Sequence, residues 1–559
     1  MQRDTHPWEK SYPPGVSWDI EITPGTIPVL IDASIQRNGA RAAIDFRGRK
    51  ITYAELGRDI DGVAATFLSD RSTIEKGVAL YLPNTPYHPI AFFAALKAGT
   101  HVVHLSPLDA ERTLIHKLRD SGARTLVTTN LAPLLPMALK LLDAGLIDTL
   151  YVGDDARWGD ATVPLLKVPV RAHVHELSGS HSPQAWPEVS PAGIALLQYT
   201  GGTTGMPKAA VLTHANMTSA LQMYEAWYGG QGVTRPGKER SICVLPLFHI
   251  YALTTILLKQ IVNGNEILLR QRFDVAQTLA DIEQLRATSF PGVPTMWIAL
   301  ANHPGVERCD FSSLETCSSG GAPLPVEVQS RVERLTKRRL GGGWGMTETC
   351  PAGTLIPSFA PTKTGTIGLP LPGIVVQVVA VDDPHRMLPV GEIGELRIKG
   401  PNVARGYWNR SPEDNAREFA GGFFLTGDIG RMDEDGFVFL VDRKKDLIIS
   451  GGFNVYPQMI EQAIYEHPAV EEVIVIGVPD SYRGEAAKAF VKLRAGAAAF
   501  TFEDLRAFLA DKLGRHELPA SLEFRDSLPR TPVGKLSRLH LRDEERSKLD
   551  PKPSGGPPP

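Results

Sequence analysis

The sequence has little of what marks exported, zinc-binding or nucleic-acid-binding proteins. Only four of its 559 residues are cysteines, Cys243, Cys309, Cys317 and Cys350, and no two of them form a CxxC pair. Zinc sites and disulfide frameworks need closer or more numerous cysteines, so we expect four reduced thiols. The formal net charge of -3 provides no overall basic field. This argues against nucleic acid as the main partner.

The chain also lacks a long uninterrupted apolar run. Its most apolar long stretch, 251–269, contains Lys259, Asn263, Asn265 and Glu266, and such side chains are costly inside a bilayer. The amino-terminal segment has no apolar core of the kind that a secretory signal requires. We therefore predict a cytoplasmic protein with no integral membrane association, and the sequence makes no prediction of its oligomeric state.

The composition and the pattern along the chain predict an α/β protein of several parts. With 43% hydrophobic and 22% charged residues, the chain has an ordinary globular composition. Helical patterns such as 53–68 alternate with apolar runs such as 78–82 and 125–128, which is typical of βαβ units with buried parallel strands. We predict a large N-terminal body of mixed α/β subdomains over 1–442, with a β-rich subdomain at about 374–440. A small mobile α+β C-terminal domain over 443–547 and a disordered tail over 548–559 complete the prediction.

The densest chemical signal is a loop rich in glycine and threonine that leads to a lysine. Glycines let backbone N–H groups converge on phosphate oxygens, hydroxyls add donors, and the lysine adds positive charge. The order differs from the Walker pattern because Pro207 directly precedes the lysine, so an ordinary P-loop NTPase is disfavoured. We interpret the loop as a polyphosphate cradle, with a flexible surface turn as the alternative. The residues concerned are Thr200, Gly201, Gly202, Thr203, Thr204, Gly205 and Lys208.

A second glycine-rich run surrounds a tryptophan and a glutamate. Its glycines permit close backbone approach, the indole of Trp344 offers a stacking face, and Glu348 offers a hard oxygen ligand for magnesium. Taken alone, a glycine-rich hinge with a solvated glutamate is an equal alternative. The residues after the glycines are Trp344, Gly345, Met346, Thr347 and Glu348.

These runs belong to a series of seven motifs that resembles one family. From about residue 26 to residue 543, the chain is similar to the adenylate-forming superfamily of acyl-CoA synthetases, carrier-loading adenylation domains and luciferases. The motifs look closest to bacterial medium- and long-chain fatty acyl-CoA synthetases, a group that includes ligases for dicarboxylic acids such as pimelate. In chain order the motifs are 200–208, 246–249, 319–324, 344–348, 426–428, 442–446 and 529–535.

The resemblance implies roles for the residues of the nucleotide site. Asp428 and Arg443 would hydrogen-bond the ribose hydroxyls, and Glu348 would hold Mg²⁺. Lys535 would stabilise the charge that develops as a carboxylate attacks the α-phosphate of ATP. The adenine would lie between Gly320, Gly321, Ala322 and Trp344, and the phosphates would contact Thr200, Thr203, Thr347 and Lys208. The remaining contacts would come from Gly201, Gly202, Thr204, Gly205, Gly345 and Met346.

The same resemblance implies an acyl pocket, a hinge and a tunnel for coenzyme A. His249 would lie at the acyl site and change rotamer as the nucleotide leaves. Lys445 would be the hinge about which the small domain turns between two half-reactions. The rest of the acyl pocket would be Ile250, Tyr251, Val293, Met296 and Gly321, and the CoA tunnel would be lined by Gly451, Gly452 and Phe453.

We therefore predict an AMP-forming acyl-CoA synthetase, an acid–thiol ligase with ATP and CoA as co-substrates, Mg²⁺ as cofactor, and a fatty or dicarboxylic acid as substrate. The alternatives are an aryl-acid CoA ligase, a carrier-protein-loading adenylation enzyme, and a nucleotide-sensing binding protein of the same fold. The context of Lys535 also resembles sites of reversible lysine acetylation, so an acetyltransferase and a deacetylase acting on it are further predicted partners.

Overall fold

The computed structural model describes residues 5–179, 185–200, 206–321, 326–450, 453–531 and 536–549. The chain divides into two compact units. The first unit is drawn from Met1–Val376, Ile398–Phe424 and Glu434–Val438, and the second from Gln377–Arg397, Leu425–Asp433 and Phe439–Pro559.

The first unit begins with alternating strands and helices, as the sequence pattern predicts. Its strands up to residue 213 are β1 (Ala42–Phe46), β2 (Arg49–Thr52), β3 (Val78–Tyr81), β4 (Val102–Leu105), β5 (Thr125–Thr129), β6 (Thr149–Gly153), β7 (Val174–Glu176), β8 (Ile194–Thr200) and β9 (Lys208–Thr213). The helices are α1 (Ile27–Asn38), α2 (Tyr53–Ser69), α3 (Arg71–Lys76), α4 (Tyr87–Lys97), α5 (Glu111–Ser121), α6 (Leu135–Asp143) and α7 (His214–Gly230).

Seven of these strands form one sheet in the order β7-β6-β5-β3-β4-β8-β9. All neighbours are parallel except β8 and β9, which form an antiparallel pair. Every residue of β3 is buried, and so is every residue of α4. Burial of this kind is expected for parallel strands whose faces are covered by helices, and it explains why these segments are apolar throughout.

A nine-stranded sheet has the order β16-β15-β14-β13-β12-β10-β11-β1-β2. Its further strands are β10 (Arg240–Cys243), β11 (Glu266–Leu269), β12 (Ser289–Gly292), β13 (Thr316–Ser319), β14 (Leu340–Trp344), β15 (Thr354–Leu355) and β16 (Leu369–Pro370). The strands from β14 to β1 are parallel. The helices are α8 (Ile250–Ala252), which continues through a π-helical segment Leu253–Leu258 into α9 (Lys259–Val262), and then α10 (Val275–Glu283), α11 (Pro294–Ala301) and α12 (Val326–Thr336).

The predicted β-rich region contains a five-stranded sheet in the order β17-β18-β20-β19, with β21 paired to β20. The chain passes from one unit to the other within β17, β18, β20 and β21. The elements of the region are β17 (Val375–Val379), β18 (Gly394–Lys399), α13 (Pro412–Glu418), β19 (Phe419–Ala420), β20 (Phe423–Met432) and β21 (Val438–Arg443).

The rest of the second unit has the α+β arrangement that the sequence predicts for the C-terminal domain. Its sheet has the order β23-β22-β25-β24, with β26 paired to β25, and the helices cover a core that includes Ile460, Val475 and Leu505. The elements are β22 (Ile448–Ser450), β23 (Phe453–Val455), α14 (Pro457–Tyr465), β24 (Val470–Asp480), β25 (Gly484–Leu493), α15 (Phe502–Leu509), β26 (Ser521–Phe524) and α16 (Arg538–Leu549).

The last helix corrects the predicted start of the tail. We assigned 548–559 to a disordered tail, but α16 continues to Leu549. Lys548 lies within it, with its Nζ 2.6 Å from Oε1 of Glu545, and such i,i+3 pairs favour the helix. Residues 550–559 lie outside the described residues. In the ranges that the structure describes, no helix is long and apolar enough to cross a membrane.

Gly345 is a position where the packing leaves no room for a side chain. A Cβ atom there would overlap the carbonyl oxygen of Pro351, whereas a Cβ at Gly25 would meet nothing within 4 Å. Because overpacking against backbone costs about 1–3 kcal/mol or more, we expect Gly345→Ala to lower the urea midpoint of the first unit and Gly25→Ala to leave it nearly unchanged. Urea unfolding followed by circular dichroism measures both variants. Equal midpoints would contradict the packing described for Gly345.

Candidate active site

The β8–β9 hairpin holds both ends of the predicted phosphate loop. Thr200 is the last residue of β8 and Lys208 the first residue of β9, and the two are paired in register. The hydroxyl of Thr200 lies 3.5 Å from the carbonyl oxygen of Lys208. Two residues predicted to contact phosphates therefore lie side by side. The residues between them, Gly201, Gly202, Thr203, Thr204 and Gly205, lie outside the described residues.

Lys208 contacts a carboxylate and an aromatic ring that both lie outside the seven motifs. Its Nζ lies 2.5 Å from Oε1 of Glu418, the last residue of α13, and 5.0 Å from the centroid of the Tyr407 ring. The side chains of Lys208 and Glu418 remain 40% and 35% exposed, so the ion pair is screened and contributes modestly to stability.

Glu348 is held in a turn that is separated by two residues from Trp344, the last residue of β14. The turn is a single 3-10 segment, Thr347–Thr349, and the glutamate is only 7% exposed. The hydroxyl of Tyr407 donates to Oε1 of Glu348 at 2.7 Å, and the backbone N–H of Ala404 donates to the Glu348 carbonyl at 2.7 Å. Burial, together with the neighbouring Glu348 carboxylate, raises the pKa of Tyr407 well above its usual value, so the phenol remains protonated and can donate.

The donor set at Glu348 fits magnesium. Mg²⁺ prefers hard oxygen ligands, keeps several waters, and is commonly held by one or two carboxylates together with substrate phosphates. A buried carboxylate beside the hydroxyl-bearing Thr347 meets that requirement. Within the described ranges there is no group of three or more His, Cys, Asp or Glu side chains that could hold a metal. Glu348 would therefore need substrate phosphates and water as further ligands of the ion.

The residues predicted to flank adenine lie at the ends of two neighbouring parallel strands. Gly320 and Gly321 directly follow β13, and Trp344 ends β14. The N–H of Gly320 donates to the carbonyl of Gly292 at 3.1 Å. Gly321 has φ of +80°, a conformation that favours glycine. Trp344 is 7% exposed, and Ala322 lies outside the described residues.

Met346 and Gly345 connect Trp344 to the 3-10 turn. The N–H of Met346 donates to the hydroxyl of Thr349 at 3.0 Å, which fixes the entry into the turn. The side-chain amide of Asn402 donates to the carbonyls of Thr349 and Ala352, both at 2.7 Å, and is fully buried. The backbone that carries Thr347 and Glu348 is thus held on both sides.

The predicted acyl residues gather where β10, β12 and β13 end. His249 caps α8: its Nδ1 accepts from the N–H of Tyr251 at 3.2 Å. A Cβ on Gly320 would lie 2.9 Å from the Tyr251 ring, so glycine is required for the ring to pack there. Ile250 is 1% exposed, Val293 is 6% exposed, and Met296 follows in α11. The six predicted acyl residues therefore share one edge of the nine-stranded sheet.

Two further residues, which lie outside the seven motifs, hold the turn before His249. The Oδ1 of Asn84 accepts from the Leu247 N–H at 2.9 Å, and its Nδ2 donates to the carbonyl of Leu245 at 3.0 Å. The Nε2 of Gln198 donates to the carbonyl of Phe248 at 3.1 Å. Asn84 follows β3 and Gln198 lies in β8, so the seven-stranded sheet holds a turn that follows β10 of the other sheet.

In the second unit, the two residues predicted to bind ribose are paired. Nε of Arg443 lies 2.5 Å from Oδ1 of Asp428, and Asp428 is 2% exposed. The N–H of Asp428 donates to the Thr426 hydroxyl at 3.1 Å. Glu395 accepts from the N–H of Gly427 at 3.1 Å and from Nζ of Lys444 at 2.8 Å.

The same contacts distinguish Lys444 from the predicted hinge residue, Lys445. Lys444 is tied to Glu395, and Asp446 on the other side of Lys445 is paired with Arg542 at 2.9 Å and Arg538 at 3.1 Å. Lys445 thus lies between two anchored neighbours. Phe453 is 60% exposed and its ring centroid lies 4.9 Å from that of His516, whereas Gly451, Gly452 and Lys535 lie outside the described residues.

Comparison with known families supplies the identification. The AMP-binding enzyme family matches residues 31–408, and the AMP-binding enzyme C-terminal domain matches residues 459–535. The chain belongs to the AMP-binding enzyme family. The predicted membership of the adenylate-forming superfamily and the predicted α/β fold are confirmed.

Relatives of this AMP-binding enzyme extend over nearly the whole chain. A long-chain-fatty-acid–CoA ligase from Bacillus subtilis strain 168 is 37% identical and covers 96% of this chain and 98% of its own length. A ligase of the same name from Escherichia coli O6:H1 is 37% identical over 98% of this chain and 99% of the relative. Feruloyl-CoA synthase from an Amycolatopsis species is 35% identical over 89% of this chain and 95% of the relative.

Solved structures agree with the fold of this AMP-binding enzyme. ATP-bound MatB from Rhodopseudomonas palustris superposes with a TM-score of 0.81 at 26% identity, covering 94% of this chain and all of that chain. The o-succinylbenzoate CoA synthetase from Bacillus subtilis, in complex with its acyl-adenylate intermediate, has a TM-score of 0.76 at 27% identity over 92% of this chain and 98% of that chain.

The turn before His249 provides a test of the site geometry. Asn84→Ala leaves the Leu247 N–H and the Leu245 carbonyl without their partner, and a buried group left unsatisfied costs about 1–3 kcal/mol. We expect a lower melting temperature and a raised KM for the carboxylic acid. Asn302→Ala removes an exposed asparagine paired with Arg331 and serves as control. An unchanged melting temperature for Asn84→Ala would contradict the structural role of Asn84.

Proposed function

We propose that this protein activates long-chain fatty acids as their CoA thioesters. The observation that carries the proposal is the full-length similarity, at 37% identity, to two long-chain-fatty-acid–CoA ligases. The reaction is that of AMP-forming acid–thiol ligases: an acid and ATP form acyl-AMP and pyrophosphate, and CoA then replaces AMP. The partners are small molecules, namely the acid, ATP and CoA.

The acyl residues support an alkyl substrate. The predicted pocket combines Ile250, Val293 and Met296 with the ring of Tyr251 and the unsubstituted backbone of Gly321. Each methylene buried against such a surface is worth about 0.8 kcal/mol, so a long chain gains more affinity than a short one. An aryl acid is the second candidate, because feruloyl-CoA synthase is also a full-length relative.

The first half-reaction needs positive charge and donors around the α-phosphate more than it needs a general base. Lys208 and the hydroxyls of Thr200 and Thr347 provide a cation and donors from β9, β8 and the 3-10 turn. Glu348 would hold Mg²⁺, which when bound neutralises phosphate charge. Lys535, by resemblance, adds the second cation, and Asp428 with Arg443 would hold the ribose.

The second half-reaction requires CoA to reach the acyl carbonyl from another direction. We propose that the domain after Arg443 turns about Lys445, and that Gly451, Gly452 and Phe453 then line the path of the thiol arm. The anchored neighbours, Lys444 and Asp446, support a hinge at the residue between them. Our boundaries, 1–442 and 443–547, are part of this proposal.

Two further expectations belong to the same proposal. We propose a cytoplasmic location, and reversible acetylation of Lys535 by a protein acetyltransferase and a deacetylase. Acetylation removes the charge of lysine, so it would stop adenylation. A quantitatively acetylated enzyme that stays active would disprove this regulation.

The substrate class is tested by CoA-dependent AMP release with ATP and Mg²⁺. The acids to compare are acetate, octanoate, palmitate, pimelate, benzoate and ferulate. We expect kcat/KM to rise with alkyl chain length and to be highest for long chains, because each methylene adds apolar burial. A maximum at ferulate or benzoate would establish the aryl-acid ligase instead, and release only with a carrier protein would establish a loading enzyme.

The two half-reactions should be separable by two substitutions. We expect Lys535→Ala to abolish formation of acyl-AMP but to leave thioester formation from supplied acyl-AMP largely intact, since only the first step involves attack on the α-phosphorus and departure of pyrophosphate. We expect Lys445→Pro to keep formation of acyl-AMP but to lose thioester formation, because proline fixes φ at the proposed hinge. Lys445→Ala, which removes the same side chain without fixing φ, is the matched control. Pyrophosphate exchange and thioester assays measure each step, and equal loss of both steps in either variant would refute the assigned role.

A further inference from the structure

Tyr407 contacts both charged residues that are predicted to act at the phosphates, Glu348 and Lys208. It lies between β18 and α13, in a segment that no motif of the sequence analysis covered. Its side chain is 8% exposed, its hydroxyl donates to Oε1 of Glu348 at 2.7 Å, and Nζ of Lys208 lies 5.0 Å from its ring centroid. One side chain thus contacts both the expected metal ligand and the expected phosphate-binding lysine.

The backbone of Tyr407 is fixed to the strand that carries Lys208. The N–H of Val211 donates to the carbonyl of Gly406 at 2.9 Å, and the N–H of Trp408 donates to the carbonyl of Ala209 at 2.8 Å. These bonds place residues 405–408 alongside β9, with Tyr407 bridged to Ala210. Tyr407 therefore moves with β9 and not as part of an independent loop.

The ring and the N–H of Tyr407 are held by the elements that follow it. The N–H donates to Oδ1 of Asn415 in α13 at 2.8 Å, and the ring packs edge-on against Phe419 with centroids 5.5 Å apart. A phenol fixed at its backbone and its ring keeps its hydroxyl oxygen in place beside the Glu348 carboxylate, and the Glu418 carboxylate is a second acceptor within its reach. A hydrogen bond from such a group restricts the rotation of the carboxylate that accepts it.

We propose that Tyr407 is a positioning residue for Glu348: it holds the carboxylate in the orientation that binds the metal–nucleotide complex, and its ring keeps Lys208 beside that complex. The inference rests on the proposed function, in which Glu348 holds Mg²⁺. Groups that hydrogen-bond a metal ligand commonly change metal affinity by about 10- to 100-fold when they are removed. Tyr407 acts through Glu348 and does not itself contact the reacting atoms.

The test measures Mn²⁺ binding to the full-length protein with a non-cleavable ATP analogue, α,β-methylene-ATP, by electron paramagnetic resonance. We expect Tyr407→Phe, which keeps the ring and loses the hydroxyl, to weaken Mn²⁺ binding at least about tenfold. It should also raise the Mg²⁺ concentration needed for half-maximal turnover while leaving the KM for the acid unchanged. Tyr53→Phe is the matched control, because it also removes a buried hydroxyl, one that donates to the carbonyl of Asn265 at 2.7 Å away from these residues.

A double-mutant cycle separates positioning from a general structural effect. Glu348→Gln removes the charge that would hold the metal, and with it the function through which Tyr407 would act, while it keeps the size of the side chain. If Tyr407 acts through Glu348, adding Tyr407→Phe to Glu348→Gln weakens Mn²⁺ binding no further. Additive losses, or wild-type Mn²⁺ affinity in Tyr407→Phe, would overturn the proposal.

The measurement of Mn²⁺ binding does not require an acyl substrate. If the wild-type protein forms no acyl-CoA from any acid but still binds Mn²⁺ with the nucleotide analogue, the proposed function fails while the role of Tyr407 is still measured. If Tyr407→Phe lowers the melting temperature more than Tyr53→Phe does, the cycle in the Glu348→Gln background decides between positioning and packing.

Discussion

The carboxyl group of Glu348 lies where only 7% of the residue is exposed, and the arrangement of the predicted phosphate-binding residues depends on how that group is held. A buried carboxylate is tolerated only when donors or cations compensate for the lost hydration. The hydroxyl of Tyr407 provides one such donor, and the backbone around the 3-10 turn is fixed by Ala404 and Asn402. Because Tyr407 is paired with β9, the strand that begins at Lys208, the cation and the carboxylate share one rigid frame.

The backbone before His249, a predicted acyl residue, is held by polar side chains that reach from one sheet to the other. The turn that carries His249 follows β10, but its backbone groups are bonded to Asn84 and Gln198 of the seven-stranded sheet. Both side chains are buried, so their hydrogen bonds are costly to leave unmade. The turn before His249 is therefore tied to β8, in which Gln198 lies only two residues before Thr200.

The second unit holds its charged residues differently. Arg443, which pairs with Asp428, is 46% exposed, and Lys444, which pairs with Glu395, is 43% exposed. The carboxylates of both pairs are buried, with Asp428 3% and Glu395 5% exposed, so loss of either cation would leave a buried charge uncompensated. Arg538 and Glu461, 2.6 Å apart, are 20% and 14% exposed and join α16 to α14. Lys445 is thus flanked by Lys444 and Asp446, whose side chains are both held by ion pairs.

Local patterns in the sequence were enough to predict the α/β fold, the family and most of the candidate site residues that lie at the ends of strands. Val78–Tyr81 could be recognised as a buried strand because all four side chains are apolar, and Gly320, Trp344 and Glu348 lie in short motifs whose order is itself the signal. Tyr407, Glu418 and Asn84 could not be found in this way. Their contacts with Glu348, Lys208 and Leu247 span 59, 210 and 163 residues. No spacing or periodicity encodes such pairs, because they form only when separate strands and loops pack against each other. The sequence by itself determined which chemical groups the site contains, whereas only the tertiary structure decided which side chains hold those groups in place.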